Sequence, residues 1–136
     1  MSLLLVRHAR AGDPEEWEGD DRVRPVDKRG RQQAEGLVDA LSEFALDRIV
    51  SSPYLRCIQT IEPLAVARGL DIELDAALGA NQLDDVPGVL ERLQGENAVV
   101  CTHGELPWLE GRKFKKGSTW VLSDELEPRR YIKPPA

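Results

Sequence analysis

Two short apolar runs constrain this chain most, because each leads into one of its only two histidines. Residues 3–6 lead into His8, and residues 98–101 lead into His103. Runs of this length are typical of strands buried in a parallel sheet. Parallel strands end at the same edge of an open α/β sheet, where such sheets bind their ligands. The sequence therefore predicts that the two histidines meet in one crevice.

The rest of the chain alternates between helical and extended patterns. Asp27 is placed to cap the first predicted helix, Gly69 to end the second, and Pro63 to kink or divide it. The predicted helices span residues 30–44, 52–68 and 84–93. The predicted strands span residues 3–6, 49–50, 70–74, 98–101, 119–122 and 130–132, with a turn at 125–128. This order predicts an α/β fold: one domain over residues 1–136, with three α/β/α layers around a mostly parallel central sheet.

The charge of the chain limits its partners. The net charge is −6 and the pI is about 5.0. Nucleic-acid and membrane-surface binding both need a basic field, so we expect neither. A few arginines can still form a local positive pocket for an anionic substrate. The sequence also lacks a signal peptide and a membrane-spanning run, which predicts a cytoplasmic protein.

The chain contains two cysteines, Cys57 and Cys101. We expect both to be reduced and partly buried, as is usual in a reducing compartment, although the sequence leaves a disulfide between them open. Cys101 and His103 lie close together, but zinc needs three or four converging ligands. We therefore expect no metal site and no cofactor.

Arginines accompany the histidines. Arg7 adjoins His8, and the Ser-Ser-Pro start of the second predicted helix places Arg56 one turn in, near the same sheet edge. Guanidinium groups stay charged and match phosphate oxygens in a bidentate way. Two histidines with two arginines therefore predict phosphoryl-transfer chemistry.

Four motifs in order resemble the histidine phosphatase (phosphoglycerate mutase-like) superfamily. The resemblance runs from residue 3 to about residue 110, and Ala9 stands where the family more usually has glycine. The matching segments are Leu5-Val6-Arg7-His8-Ala9, Arg24 to Ala34, Ser51-Ser52-Pro53-Tyr54-Leu55-Arg56-Cys57-Ile58-Gln59-Thr60 and Val99-Val100-Cys101-Thr102-His103-Gly104.

The resemblance implies a role for each matching residue. His8 would be the nucleophile that becomes a phosphohistidine. Arg7, Arg56 and His103 would bind the phosphoryl oxygens and stabilise the transition state. Arg24 either reaches the phosphate or is a solvated loop arginine. The family's phosphoglycerate mutase-like fold agrees with the α/β prediction.

One departure from the family concerns the proton donor. Many members carry a glutamate after the third strand, but here the segment 74–79 has alanine at that position. The substitute acids that we consider are Asp75, Asp84, Asp85 and Glu105. A leaving group that departs without a proton would not need this acid. We therefore expect a substrate with a good leaving group.

Three functions remain open. The short length and the Arg-His-Ala form resemble the compact SixA-like branch, which favours a phosphohistidine phosphatase. The chain also resembles the phosphatase module of some actinobacterial Nudix hydrolases, which favours a nucleotide phosphohydrolase. A non-catalytic phosphate-binding module is the third possibility. The expected partner is accordingly a phosphorylated small molecule or a phosphoprotein.

Overall fold

A six-stranded sheet organises the chain, whose residues 2–136 are described by this computed structural model. The strands are β1 Leu3–Arg7, β2 Arg48–Ser51, β3 Ile72–Leu74, β4 Ala98–Thr102, β5 Thr119–Leu122 and β6 Pro128–Ile132. Their spatial order is β3-β2-β4-β1-β5-β6. The β2–β3, β2–β4 and β1–β4 pairs are parallel, and the β1–β5 and β5–β6 pairs are antiparallel. The mostly parallel sheet is confirmed.

Helices cover both faces of this sheet, which confirms the α/β fold. Helices α1 Lys28–Ala40 and α2 Leu55–Arg68 pack on one face, and α3 Val86–Leu93 packs on the other. The apolar strand residues alternate between the two faces. On the α1 and α2 face the core includes Leu4, Val6, Val99, Cys101, Leu37, Ile61 and Leu64. On the α3 face it includes Leu3, Leu5, Val100, Val86, Val89 and Leu90.

Helix α1 begins two residues before the predicted start and ends four residues before the predicted Phe44. Asp27 caps it as predicted, since its carboxylate accepts from the Gly30 amide at 2.7 Å. At the other end, the amides of Ser42 and Phe44 each donate to a carbonyl three residues earlier, that of Asp39 and that of Leu41. These tighter bonds replace the α-helical pattern, so residues 41–44 form turns.

Helix α2 begins at Leu55 rather than at Ser52, so the predicted start was wrong. Ser52 stays extended because its amide donates to the Cys101 carbonyl. Arg56 is therefore the second residue of the helix and not one turn inside it. Gly69 ends the helix in the left-handed conformation as predicted, and the helix passes Pro63 without being divided.

Three smaller boundaries also differ from prediction. Strand β3 excludes residues 70–71. Helix α3 begins at Val86 because residues 83–85 first form a 3-10 turn. The last turn lies at 123–127, closed by the Ser123 amide on the Glu127 carbonyl, so Pro128 already belongs to β6.

The register of the central strands brings the two histidines together. Strands β1 and β4 are adjacent and parallel, with Arg7 opposite Thr102. His8 and His103 each follow the last residue of their strand, so they leave the sheet side by side at its carboxyl edge. Across residues 2–136, no helix is long and apolar enough to cross a membrane.

Candidate active site

His8 is held with one ring nitrogen free. Its Nδ1 lies 2.8 Å from the Ala9 carbonyl oxygen. A carbonyl only accepts, so Nδ1 carries the ring proton and Nε2 carries a lone pair. Burial, followed by the charges of His103, Arg56 and Arg7, lowers the pKa of His8 to about 3, although the bond to Ala9 opposes this shift. The ring is therefore neutral at physiological pH.

His103 is anchored through its other ring nitrogen. Its ring centroid lies 5.3 Å from that of His8, and its Nε2 lies 3.0 Å from Ser52 Oγ. Because Ser52 Oγ already accepts from the Tyr54 amide, we assign its O–H as the donor to Nε2. An O–H that donates to Nε2 places the ring proton of His103 on Nδ1. Thus His8 presents a lone pair and His103 presents an N–H.

Arg56 and Arg24 share the carboxylate of Asp21. Arg56 donates from Nη2 to Asp21 Oδ2 at 3.1 Å and from Nη1 to the Asp21 carbonyl at 2.9 Å. Arg24 donates from Nε to Asp21 Oδ1 at 2.9 Å. Burial alone would raise the pKa of Asp21, but the bond from Arg24 and the charges of both guanidinium groups lower it. Arg24 is thus a buried residue beside Arg56 and not a solvated loop arginine.

Asp21 was missed by the sequence analysis. It lies in a 3-10 turn, Asp21–Val23, inside the stretch that its glycines and prolines predicted to be a loop. Several acidic residues lie in that stretch, and nothing in the sequence distinguishes Asp21 from the others. Its carboxylate forms ion pairs with two buried guanidinium groups, those of Arg24 and Arg56.

Arg7 turns toward the loops beyond the sheet. Its Nη1 donates to the Phe114 carbonyl at 2.6 Å. Its guanidinium lies so close to Gly104 that a Cβ there would overlap it, so this glycine permits the approach. Burial lowers the pKa of Arg7, while the charge of the nearby Glu105 raises it.

Buried nitrogens without partners cluster among these side chains. Over residues 2–136, four buried side-chain N or O atoms lack a hydrogen-bond partner, and Arg7 Nε, Arg56 Nε and His103 Nδ1 are three of them. Each belongs to a residue whose charge lowers the pKa of His8. Leaving buried donors unpaired costs about 1–3 kcal/mol each. An anion beside His8 would satisfy them.

The motif residues Gln59 and Thr60 support the site from behind. Thr60 Oγ1 accepts from the Ala9 amide at 2.7 Å and donates to the Arg56 carbonyl at 2.6 Å. Gln59 Oε1 accepts from the Val26 amide at 2.8 Å. Helix α2 is thereby tied both to the loop after His8 and to the segment that carries Arg24.

The four candidate acids are placed differently. Asp75 forms an ion pair with Arg92 at 2.6 Å and caps the Ala77 amide, so its carboxylate is already engaged. Asp84 and Asp85 are exposed in the 3-10 turn before α3. Glu105 is the candidate acid whose charge acts on Arg7, a neighbour of His8.

The cysteines are both free and fully buried, rather than partly buried as predicted. Cys57 Sγ lies 3.6 Å from His103 Nε2, so it packs behind the second histidine. Within residues 2–136, no group of three or more His, Cys, Asp or Glu side chains is placed to hold a metal ion.

Known proteins resemble this chain in sequence and in fold. An 8-oxo-(d)GTP phosphatase of Mycolicibacterium smegmatis is 38% identical over 157 aligned positions, which cover 98% of this chain and 48% of that protein. A probable phosphoglycerate mutase GpmB of Shigella dysenteriae is 30% identical over 97 positions, covering 68% of this chain and 41% of that protein. The chain thus spans about half the length of the curated relatives that it matches.

Among solved structures, the protein histidine phosphatase SixA complexed with tungstate superposes with a TM-score of 0.81. The two are 22% identical, and the match covers 98% of this chain and 97% of SixA. This likeness confirms the phosphoglycerate mutase-like fold in its compact SixA form. The sequence profile of the histidine phosphatase superfamily (branch 1) matches residues 3–88, and the chain belongs to that family.

Proposed function

We propose that this chain is a phosphatase that transfers a phosphoryl group to His8 Nε2 and then to water. One observation carries the proposal: a buried, neutral His8 with a free Nε2 is surrounded by three residues that hold unpaired buried nitrogens. A lone pair supplies the nucleophile, and the unpaired N–H groups supply donors for phosphoryl oxygens.

In the first step the Nε2 lone pair attacks phosphorus. An N–P bond forms while the bond from phosphorus to the leaving atom breaks, and the bonding electron pair departs with the leaving group. Arg7, Arg56 and His103 stabilise the charge that spreads over the three remaining phosphoryl oxygens. The Nδ1–H bond to the Ala9 carbonyl keeps the ring oriented and stabilises the positive charge that the ring gains.

In the second step water attacks the phosphohistidine. The new O–P bond replaces the N–P bond, whose electrons return to Nε2; one water proton stays on the new phosphate oxygen, and the other passes to a second phosphate oxygen or to solvent. The free imidazole is restored without a change in the protonation of Nδ1. A pKa of about 3 favours this return, since free His8 does not take up a proton at neutral pH.

The substrate of this reaction has a leaving group that departs without protonation. The segment after β3 offers Ala76 and Ala77 where the family often has its acid, and Asp75 is paired with Arg92. A nucleotide phosphate leaves as a weak base, and a phosphohistidine whose other ring nitrogen already carries a proton leaves as neutral imidazole. A phosphohistidine phosphatase is the first candidate, supported by the compact SixA fold.

A nucleotide phosphohydrolase is the second candidate. It is favoured by the 38% identity to an 8-oxo-(d)GTP phosphatase and by a cleft beside Arg24. This cleft of about 250 Å³ is lined in part by Trp17, Pro25 and Val26. Trp17 is 37% exposed, so its ring face can stack on a nucleobase.

Initial rates on a substrate panel test both the class and the candidates. The panel holds a phosphohistidine peptide, nucleoside di- and triphosphates, and 3-phosphoglycerate, with His8→Ala as the control enzyme. We expect kcat/KM to be at least about 100-fold higher for the substrates with good leaving groups, since general acid catalysis contributes 10²–10⁴-fold. A clear preference for 3-phosphoglycerate would refute the leaving-group argument.

A further inference from the structure

A strongly basic cavity lies beside the carboxyl end of β1. It encloses about 680 Å³ and is lined by seven Lys and Arg side chains. They come from the end of β1 (Arg7), the loop after it (Arg10), α1 (Arg29), residues 113–116 and Lys133. Among the described residues that line it, which include Ala136, none has an acidic side chain. On a chain of net charge −6 with 18 Lys and Arg in all, more than a third of the cations thus meet in one place.

The cations in this basic cavity repel one another. The pKa of Lys116 is lowered first by burial and then by the positive charges of Arg7, Arg10 and Arg24. The negative charge of Asp27 opposes this shift. Lys113 is held with its Nζ over the Tyr131 ring, 4.6 Å from the ring centroid. Like charges crowded around a concave surface raise the local concentration of anions and stabilise a bound one.

Hydrogen bonds connect the walls of the basic cavity to the loop that carries His8. Gln33 Oε1 accepts from the Arg10 amide at 3.0 Å, and its Nε2 donates to the Lys116 carbonyl at 3.3 Å. The Gly117 amide lies 3.1 Å from the Arg7 carbonyl and 3.0 Å from the His8 carbonyl. Arg7 itself lines the cavity and lowers the pKa of His8, so the two sites share a guanidinium.

We propose that the basic cavity is a second anion subsite, which binds the remaining phosphoryl groups of an oligophosphate whose terminal phosphoryl group meets His8. This inference rests on the proposed function and favours the second of its two candidates, the nucleotide phosphohydrolase, because an oligophosphate is a phosphoanhydride. The cavity has the volume of a small-molecule site, roughly 300–1,000 Å³, and its concave shape suits a compact polyanion better than a protein face.

The subsite also explains how the reaction proceeds without the family's acid. When His8 Nε2 attacks the terminal phosphorus, the bond to the bridging oxygen breaks. The electron pair stays on that oxygen, which becomes a terminal oxygen of the shortened oligophosphate. Cations in the basic cavity stabilise this new charge directly, so no proton is required.

Calorimetric titration with inorganic tripolyphosphate tests the subsite in the His8→Ala background, where no turnover occurs. The test variant adds Lys113→Gln and Lys133→Gln, both exposed in the cavity. The matched control adds Lys28→Gln and Arg129→Gln, which remove the same charge outside it. We expect Kd to rise about tenfold or more in the test variant and about twofold or less in the control.

Two results would overturn the subsite. One is equal weakening in both variants, which indicates only a general charge effect; the other is tripolyphosphate binding no tighter than orthophosphate. A third comparison uses the same two pairs of substitutions with His8 intact. There, a rate loss on a phosphohistidine protein, with tripolyphosphate binding unaffected, would assign the basic cavity to an acidic protein instead. Binding is measured in the absence of His8, so the binding result does not depend on whether His8 is the nucleophile.

Discussion

The two strand ends at the centre of the site hold their histidines in opposite ways. At the end of β1, His8 bonds through Nδ1 to a backbone carbonyl, which leaves Nε2 as a lone pair. At the end of β4, His103 bonds through Nε2 to a side-chain hydroxyl, which leaves Nδ1 unpaired. Neighbouring residues of the same type are therefore suited to different tasks, and the choice is made by the hydrogen bond behind each ring.

Removing each histidine in turn should show most strongly that the two rings have different roles. We expect His8→Ala to lower kcat by at least about 10⁴-fold, as the loss of a nucleophile does in other covalent mechanisms. We expect His103→Ala to lower it by about 10²–10³-fold, as the loss of one stabilising donor does. Steady-state rates on a good substrate, with circular dichroism as the folding control, measure both. Equal losses would contradict the division of roles.

The titration of His8 gives the next largest effect. A folded-state pKa of about 3, against 6.5 for a free histidine, means that the unfolded chain binds more protons between these values. Stability that is present at pH 6.5 is therefore lost as the pH falls, by roughly 1.4 kcal/mol per pH unit.

Urea unfolding at pH 6 and pH 4, for wild type and His8→Gln, measures this loss. The wild type should lose about 2–3 kcal/mol more than the variant over that interval. Because both proteins share every other titrating group, the difference isolates His8. The same slope in both would show that His8 titrates normally and is not buried as a neutral ring.

Ser52 variants test the role of His103 separately. Ser52→Ala removes the bond that leaves Nδ1 as the donor, so we expect kcat to fall about tenfold, in keeping with a hydrogen bond of roughly 1.4 kcal/mol. Ser52→Thr keeps the hydroxyl and should restore most of the activity. The kcat and KM values of both variants are measured. If Ser52 had only a structural role, restoring the hydroxyl in Ser52→Thr would not restore kcat.

Asp21→Asn carries the smallest expected effect. The wild-type carboxylate binds the two guanidinium groups of Arg24 and Arg56, so it competes with an anionic ligand. Without its charge, the affinity for inorganic phosphate should rise about two- to fivefold, as for one partly exposed ion pair. Competitive inhibition by phosphate measures it, and weaker inhibition in the variant would show that Asp21 positions the arginines instead.

The strand ends were predictable from sequence, whereas the segment between β1 and α1 was not. Apolar runs fix β1 and β4, and the family motifs fix Arg7, Arg56 and the histidines, because buried strands leave a strong local signal. The positions of Asp21 and Arg24 depend on long-range contacts with α2, and no local pattern records such contacts. The basic cavity was missed for the same reason, since its cations come from five parts of the chain.

Helix ends were also only partly predictable. Asp27 and Gly69 marked their termini correctly because capping is local chemistry. Ser52 and Pro53 resembled a helix start, yet the Ser52 amide bonds to β4 and delays the helix to Leu55. A tertiary hydrogen bond thus outweighed the local helix-start pattern. The residue that forms this bond, Ser52, also orients His103.

The most direct test of the central claim is to trap the intermediate. Wild-type protein is mixed with a good substrate, quenched at alkaline pH within one turnover and digested, and the phosphorylated peptide is sequenced by mass spectrometry. We expect a phosphoryl group on His8 in the wild type and in Ser52→Ala, and none in His8→Ala. A phosphoryl group on His103, or full turnover in His8→Ala, would contradict it.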